Sequence, residues 1–242
     1  MMRLKIILLL SLISGYIFGQ KVQIIEQNKE YKRTEDYMYF EYLYKDLEIP
    51  NNLWVANLKG FCSKSGEYQL PQLFNSFWET ANKLGANTYR IDSFVNNTSD
   101  TIFVSLSIYG LGTTELDKNI IFYPKNKIFV IGDLDTNMRN GKTINFNDTK
   151  TTLYPLEYIA HQNNVGEATT VSIGGILGAK VWIRGMENKM PTHLSVTGFG
   201  IGPGYYGQLA LNINTGRINI VKLNFGQFLV HILKEKKSGS YI

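Results

Sequence analysis

The alternation of apolar and polar residues is clearest between Leu70 and Ile108. Over residues 71–84, apolar positions recur at spacings of three and four, which predicts an amphipathic helix. Pro71 suits the first helical turn, and Gly85 suits the left-handed position after the last turn. The apolar side of this helix consists of Leu73, Phe74, Phe77, Trp78, Ala81 and Leu84. We expect this stripe to pack on a sheet, with a partner groove as the alternative.

The residues around this helix follow a period of two, which is typical of strands. In residues 88–95, Tyr89 and Ile91 are predicted on one side and Arg90, Asp92 and Phe94 on the other. A polar turn at 96–100 separates this strand from a second one at 101–109, and a third precedes the helix at 53–62. The sequence therefore predicts a strand-helix-strand-strand unit within residues 20–112.

The remaining residues, 113–242, contain short apolar runs separated by turn residues and predict a mainly antiparallel, β-rich half. Residues 119–123 and 127–132, on either side of a three-residue turn, are predicted to form a hairpin. Further strands are predicted at 142–146, 153–160 (with a break at Pro155), 169–173, 180–183, 193–199, 209–213 and 217–223. Residues 225–236 fit helical spacing better than strand spacing. The predicted class is α+β, and because no long Pro/Ser linker separates the halves, a single continuous body stays open.

The first 19 residues have the pattern of a secretory signal peptide. Arg3 and Lys5 precede an apolar run at 6–13, and Gly19 is a small residue suited to the position before cleavage. The run is short for a hydrocarbon core of ~30 Å, so an uncleaved membrane anchor is the less favoured alternative. We expect a mature chain that starts at Gln20, is secreted or periplasmic, and contains no transmembrane span.

The net charge and the cysteine content bear on nucleic-acid binding and on disulfide formation. Without Arg3 and Lys5, the formal net charge of +5 becomes +3, which is not the footprint of a nucleic-acid-binding domain. We therefore expect no nucleic-acid partner. Cys62 is the single cysteine, so no disulfide forms within the chain. It is predicted to be a half-buried or solvated strand residue, with a reactive thiol or an intermolecular bridge as alternatives.

Three segments partly resemble ligand-binding motifs. Residues 133–137 place oxygens as in an EF-hand loop, but Met138 and Ile144 stand where that loop needs Gly and Glu, so we predict a polar hairpin turn. Weak calcium binding is the alternative. Residues 198–204 and 174–180 are rich in glycine and resemble a dinucleotide fingerprint and a phosphate loop, respectively. Both lack the required neighbours and are predicted to be bulges or tight turns.

The remaining candidate groups have no spacing that identifies a reaction. His161, His193 and His231 lie far apart in the sequence and lack metal-ligand spacing. The tyrosine-rich stretch 37–44 is predicted to pack in the core and at a sheet edge, with a carbohydrate-stacking surface as the alternative. No residue is assigned to a catalytic, cofactor-binding or metal site.

These observations predict an exported bacterial envelope or secreted protein with a non-enzymatic binding or structural role. The sequence does not identify its partner, and the two candidate classes are an envelope component and a small ligand. One alternative is a glycan-directed secreted hydrolase, which requires two carboxylates ~5–10 Å apart in an aromatic cleft. The other is an apolar-ligand carrier, which requires a large apolar cavity.

Overall fold

The computed structural model describes residues 22–33, 39–66, 69–96, 100–138, 140–174, 178–196 and 218–236. Within these ranges the chain forms three sheets and three α-helices. The helices are α1 (Leu70–Leu84), α2 (Thr113–Ile121) and α3 (Leu223–Ile232), and a short 3-10 helix spans Asn51–Leu53. No helix in the described part of the chain is both long and apolar enough to cross a membrane.

The first sheet has five strands in the order β1-β3-β5-β4-β2. Its strands are β1 (Val22–Gln27), β2 (Glu41–Tyr42), β3 (Trp54–Ser63), β4 (Thr88–Asn96) and β5 (Thr101–Tyr109). Strand β5 lies between β3 and β4 and is antiparallel to both, whereas β2 runs parallel to β4. The predicted α+β class is confirmed, and two strands, β1 and β2, precede the elements that the sequence predicted in this half.

The second half of the chain contributes two sheets. The central sheet has the order β13-β12-β6-β9-β14 and mixes parallel and antiparallel pairs. Its strands are β6 (Lys127–Ile131), β9 (Glu157–Gln162), β12 (Thr192–Ser195), β13 (Asn219–Val221) and β14 (Lys234–Glu235). The outer sheet has the order β11-β10-β7-β8 and is antiparallel throughout. Its strands are β7 (Lys142–Phe146), β8 (Thr149–Leu153), β10 (Ala168–Ile173) and β11 (Ala179–Arg184).

Helix α1 forms where the sequence predicts it. Gln69 and Gln72 form a reciprocal capping box at its start, and Pro71 lies in its first turn. At its end, Gly85 adopts the left-handed conformation with φ of 82°. The buried side of the helix packs on β3, which confirms the prediction that its aromatic stripe lies on a sheet.

Two hydrophobic cores separate the layers. The larger core lies between the first sheet and the central sheet and contains α1 and α3, where Phe74 contacts Phe225 and Phe228 at ring distances of 5.2 and 5.1 Å. The smaller core lies between the opposite face of the central sheet and the outer sheet. The order of layers is therefore first sheet, helices, central sheet and outer sheet, which leaves one face of the outer sheet in solvent.

The predicted hairpin around residues 124–126 is wrong. Residues 119–121 belong to α2, which begins after Gly112. Asn119 explains the difference, because its buried side-chain amide donates to the Tyr42 carbonyl and accepts from the Tyr44 amide. These hydrogen bonds to β2 and the residues after it fix a segment that strand propensity alone assigns to β structure.

The other sequence predictions have different outcomes. The helical spacing of 225–236 is confirmed by α3, and β14 follows it. The strand predicted at 153–160 with a break at Pro155 corresponds to the end of β8 and the start of β9, with Pro155 in the turn between them. A bulge between Ile91 and Ser93 shifts the register of β4, so Ser93 pairs with Ser105 and is exposed. The glycine-rich run 198–204 and the strand 209–213 lie outside the described residues.

Candidate functional site

Side chains of the outer sheet point alternately to the core and to solvent. The core-facing residues are Ile144, Leu153, Val171, Ile173 and Ile183. We call the opposite side the open face, and it consists of Thr143, Asn145, Lys150, Thr152, Thr170, Ser172, Lys180, Trp182 and Arg184. All of these residues are exposed or half-buried. The open face is therefore a polar surface available to a ligand.

The strand registers align four open-face residues in one line across the sheet. Lys150 lies opposite Asn145 in the β8–β7 pair, and Asn145 lies opposite Ser172 in the β7–β10 pair. Ser172 in turn lies opposite Lys180 in the β10–β11 pair. We call these four residues the cross-strand row. Asn145 Nδ2 donates to Ser172 Oγ at 3.3 Å, so the middle of the row is a linked polar pair with one lysine at each end.

Trp182 lies on the same face two positions after Lys180. Its side chain is 67% exposed, and Lys180 Nζ lies 5.4 Å from the centroid of its ring. Tryptophan is the side chain with most to gain from burial, and it is enriched among residues that dominate binding. An exposed indole beside hydroxyl, amide and ammonium groups is therefore a feature suited to ligand contact.

A cleft of about 540 Å³ lies over the cross-strand row. Its lining consists of Thr143, Asn145, Lys150, Ser172, Gly174, Gly178 and Lys180. Gly174 directly follows β10 and has φ of 82°, whereas residues 175–177 of this glycine-rich run lie outside the described residues. The lining contains hydrogen-bonding groups and two ammonium groups but no carboxylate.

A second, smaller cleft of about 290 Å³ lies between β2 and the start of α3. Its lining is mainly apolar and consists of Tyr39, Phe40, Glu41, Tyr123, Lys222, Leu223 and Asn224. Burial raises the pKa of the Glu41 carboxyl. Because Glu41 is the single carboxylate in this lining and the other cleft has none, neither cleft contains the acid pair that glycoside hydrolysis needs.

The structure brings two of the three histidines close to one residue, Gln227 on α3. Gln227 Nε2 lies 3.5 Å from His193 Nε2, and the Tyr44 hydroxyl donates to Gln227 Oε1 at 3.2 Å. His231 Nδ1 donates to the Gln227 backbone carbonyl at 2.7 Å. His161 lies elsewhere, with Nε2 4.0 Å from Glu167. This arrangement is a buried polar network inside the larger core and does not open into the 540 Å³ cleft.

Burial sets the charge state of this network. It lowers the pKa of His193 to about 3, with a smaller contribution from His231, and it also lowers the pKa of His231. Both imidazoles are thus neutral at pH 7. In the described ranges, no three His, Cys, Asp or Glu side chains are grouped so that they could hold a metal ion.

Cys62 is more buried than the sequence predicts. It lies in β3 as expected, but its side chain is 1% exposed and belongs to the larger core, so the prediction of a half-buried or solvated residue is wrong. The alternation along β3 accounts for this, because Leu58, Gly60 and Cys62 lie on the buried side of the strand, which faces α1. Burial raises the pKa of its thiol to about 12.

The two segments with alternative ligand interpretations have local structural explanations. The backbone amide of Asp135 donates to Asp133 Oδ1, and that of Asn137 donates to Asp135 Oδ1. These oxygens therefore cap the turn that follows β6. In the tyrosine-rich stretch, Tyr42 is buried and stacks on His231 at 4.1 Å, whereas Tyr39 is 61% exposed at the smaller cleft. Core packing is the main role of the described part of this stretch.

Sequence reasoning missed the open face. The sequence predicted three of its four strands, at 142–146, 169–173 and 180–183, and Lys150 and Trp182 were visible in the sequence. The pairing of β7 with β10 joins residues separated by about two dozen positions, and no local signal encodes it. No protein-family model, curated protein or solved structure matches this chain. The geometry of the described residues is therefore the basis for a functional proposal.

Proposed function

We propose that this chain is an exported, non-enzymatic binding protein that holds a polysaccharide on the open face of its outer sheet. The observation that carries this proposal is Trp182, an indole left 67% exposed in a face of hydroxyl, amide and ammonium groups. Sugar rings have apolar C–H faces that stack on aromatic rings and peripheral hydroxyls that exchange hydrogen bonds with Asn, Ser and Thr. The open face offers both kinds of contact.

The absence of carboxylates from the cleft over the row supports binding rather than hydrolysis. The lining of that cleft supplies no general acid and no nucleophilic carboxylate, which retaining and inverting glycosidases both need. The apolar-ligand carrier has one supporting observation, the mainly apolar cleft that includes Tyr39 and Leu223. Its volume of about 290 Å³ lies at the lower end of the range for small-molecule sites. We therefore favour the open face as the binding site.

Export is part of the proposal and rests on the signal-peptide pattern of residues 1–19. Its test is the intact mass of the protein purified from the exported fraction of its host. The expected mass is that of a chain starting at Gln20. A mass that includes residues 1–19 would contradict cleavage.

The binding proposal is tested by retention of the full mature chain on a panel of immobilised polysaccharides, both neutral and charged. Trp182→Ala is expected to lose retention on every polymer that retains the wild type. Ile121→Ala removes a side chain that is 74% exposed on α2, away from the open face, and is expected to behave as the wild type. Equal retention of both variants would contradict a role for the open face.

A further inference from the structure

The charged residues in the strands of the outer sheet are all cationic. Its four strands contain Lys142, Lys150, Lys180 and Arg184 and no Asp or Glu. Three of these cations, all except Lys142, lie on the open face. The chain as a whole carries 25 Lys and Arg against 20 Asp and Glu, so an acid-free sheet is a local feature rather than a consequence of composition.

Two carboxylates, those of Asp148 and Glu167, lie at the margins of this sheet. Asp148 is in the exposed turn between β7 and β8. Glu167 precedes β10, and its Oε2 accepts hydrogen bonds from the backbone amide and the side-chain amide of Asn164. Neither residue lines the cleft over the row. Lys150 and Lys180 therefore face this cleft without an acidic side chain in its lining.

The spacing of the two lysines fits an extended ligand. They lie at the ends of a row that crosses three strand pairs, and a strand spacing of ~4.8 Å separates their backbones by about 14 Å. Between them, Asn145 and Ser172 offer uncharged donors and acceptors. A single small anion contacts one end of such a row, whereas a chain with repeated acidic groups contacts both ends and the middle.

We infer that the ligand of the open face is an acidic polysaccharide, with its carboxylates at Lys150 and Lys180 and a sugar ring against Trp182. This inference rests on the proposed function, because it specifies the charge of the polysaccharide held there. The opposite charges of ligand and face favour association, and ammonium-carboxylate hydrogen bonds are stronger than neutral ones.

A nucleic acid is the other polyanion to consider, and the open face suits it less well. Single-stranded nucleic acids bind to grooves in which several aromatic side chains stack successive bases. The open face has one aromatic side chain, Trp182, and the cross-strand row beside it consists of two lysines, a serine and an asparagine. Nucleic-acid binding is therefore an outcome that the experiment must detect.

The experiment measures the affinity of the full mature chain for polygalacturonate, an uncharged galactan and an oligothymidylate, each immobilised at matched density. Wild type is expected to prefer polygalacturonate. The double variant Lys150→Gln/Lys180→Gln is expected to lose this preference, with an affinity lower by roughly tenfold, because it removes two exposed ion pairs. The control Lys59→Gln/Lys83→Gln removes the same charge from exposed positions on β3 and α1 and is expected to leave the preference intact.

The outcomes separate this inference from the proposed function. Equal binding of galactan and polygalacturonate, unchanged in the double lysine variant but lost in Trp182→Ala, overturns the acidic ligand and leaves polysaccharide binding in place. Failure of every polysaccharide to bind overturns both. Oligothymidylate binding as tight as polygalacturonate binding overturns the polysaccharide class. An equal loss in the control variant also overturns the inference, because the effect would then reflect net charge alone.

Discussion

The imidazole of His193 stacks on the ring of Phe129, with centroids 4.8 Å apart and planes inclined by 8°. On its other side, the ring lies against α3 at Gly226, where an added Cβ would meet the imidazole at 2.3 Å. Its Nδ1 is buried and has no hydrogen-bond partner among the described residues. A histidine held in this way between a strand and a helix makes folding sensitive to protonation.

The first prediction concerns pH. Burial lowers the pKa of His193 to about 3 from an ordinary value of 6.5, so between these pH values the unfolded chain binds the proton and the folded chain does not. Stability is therefore lost as pH falls, by up to ~1.4 kcal/mol per pH unit from this residue. Urea unfolding of wild type and His193→Gln between pH 4 and 7 measures the difference.

The matched control is His161→Gln, because the side chain of His161 is 33% exposed and lies on the other face of the central sheet, where it contacts Phe146 of the outer sheet. We expect His193→Gln to flatten the acid side of the stability profile and His161→Gln to leave it steep. Parallel profiles for wild type and His193→Gln would contradict the assignment of the pH dependence to this residue.

The second prediction concerns Gly226. Alanine is favoured over glycine within a helix by up to about 1 kcal/mol, so propensity alone predicts that Gly226→Ala stabilises α3. The close approach to His193 predicts the reverse, since overpacking a core costs about 1–3 kcal/mol. We expect the midpoint of thermal unfolding to fall. A rise would indicate that the helix and β12 are less closely packed than described.

The third prediction compares a core and a surface side chain. Phe77 on α1 is fully buried, and Phe77→Ala is expected to lower the free energy of unfolding by about 3–5 kcal/mol. Ile121→Ala, at a position 74% exposed, is expected to change it by less than about 0.5 kcal/mol. Urea unfolding at pH 7 measures both. Similar losses in the two variants would argue against α1 as the centre of the larger core.

The fourth prediction concerns Cys62. Because the thiol is buried and its pKa is raised to about 12, a thiol-specific reagent at pH 8 is expected to label it slowly in the folded chain and rapidly in urea. The time course of labelling gives both rates. Rapid labelling without urea would instead favour the reactive-thiol alternative.

Local signals predicted α1 and missed α2 for identifiable reasons. Helix α1 combines a clear period with Pro71 and Gly85 at its ends, and these signals are read directly from sequence. In α2, Ile120 and Ile121 favour a strand by propensity, and the helix depends on hydrogen bonds between Asn119 and residues near β2. Such contacts join positions about 75 residues apart and leave no periodic trace.

The open face could not be predicted for the same reason, because it depends on pairing between strands that are distant in the sequence. Each of its strands has an ordinary alternation of apolar and polar residues. The cross-strand row of Lys150, Asn145, Ser172 and Lys180 forms because β7 pairs with β10. The sequence also mispredicted the exposure of Cys62, because the small residues Ala56 and Gly60 weaken the apolar pattern on its side of the strand. Strand pairing, layer order and the secondary structure of α2 were the properties that sequence alone did not reveal.

The most direct test of the account is an NMR titration of the full mature chain with a short galacturonate oligomer, following backbone amides and tryptophan indole N–H signals. We predict that the largest shifts occur at the Trp182 indole and at the amides of Asn145, Ser172 and Lys180, and that Trp182→Ala weakens them. Shifts confined to the smaller cleft around Tyr39 and Leu223, or no shifts in the outer sheet, would contradict binding on the open face.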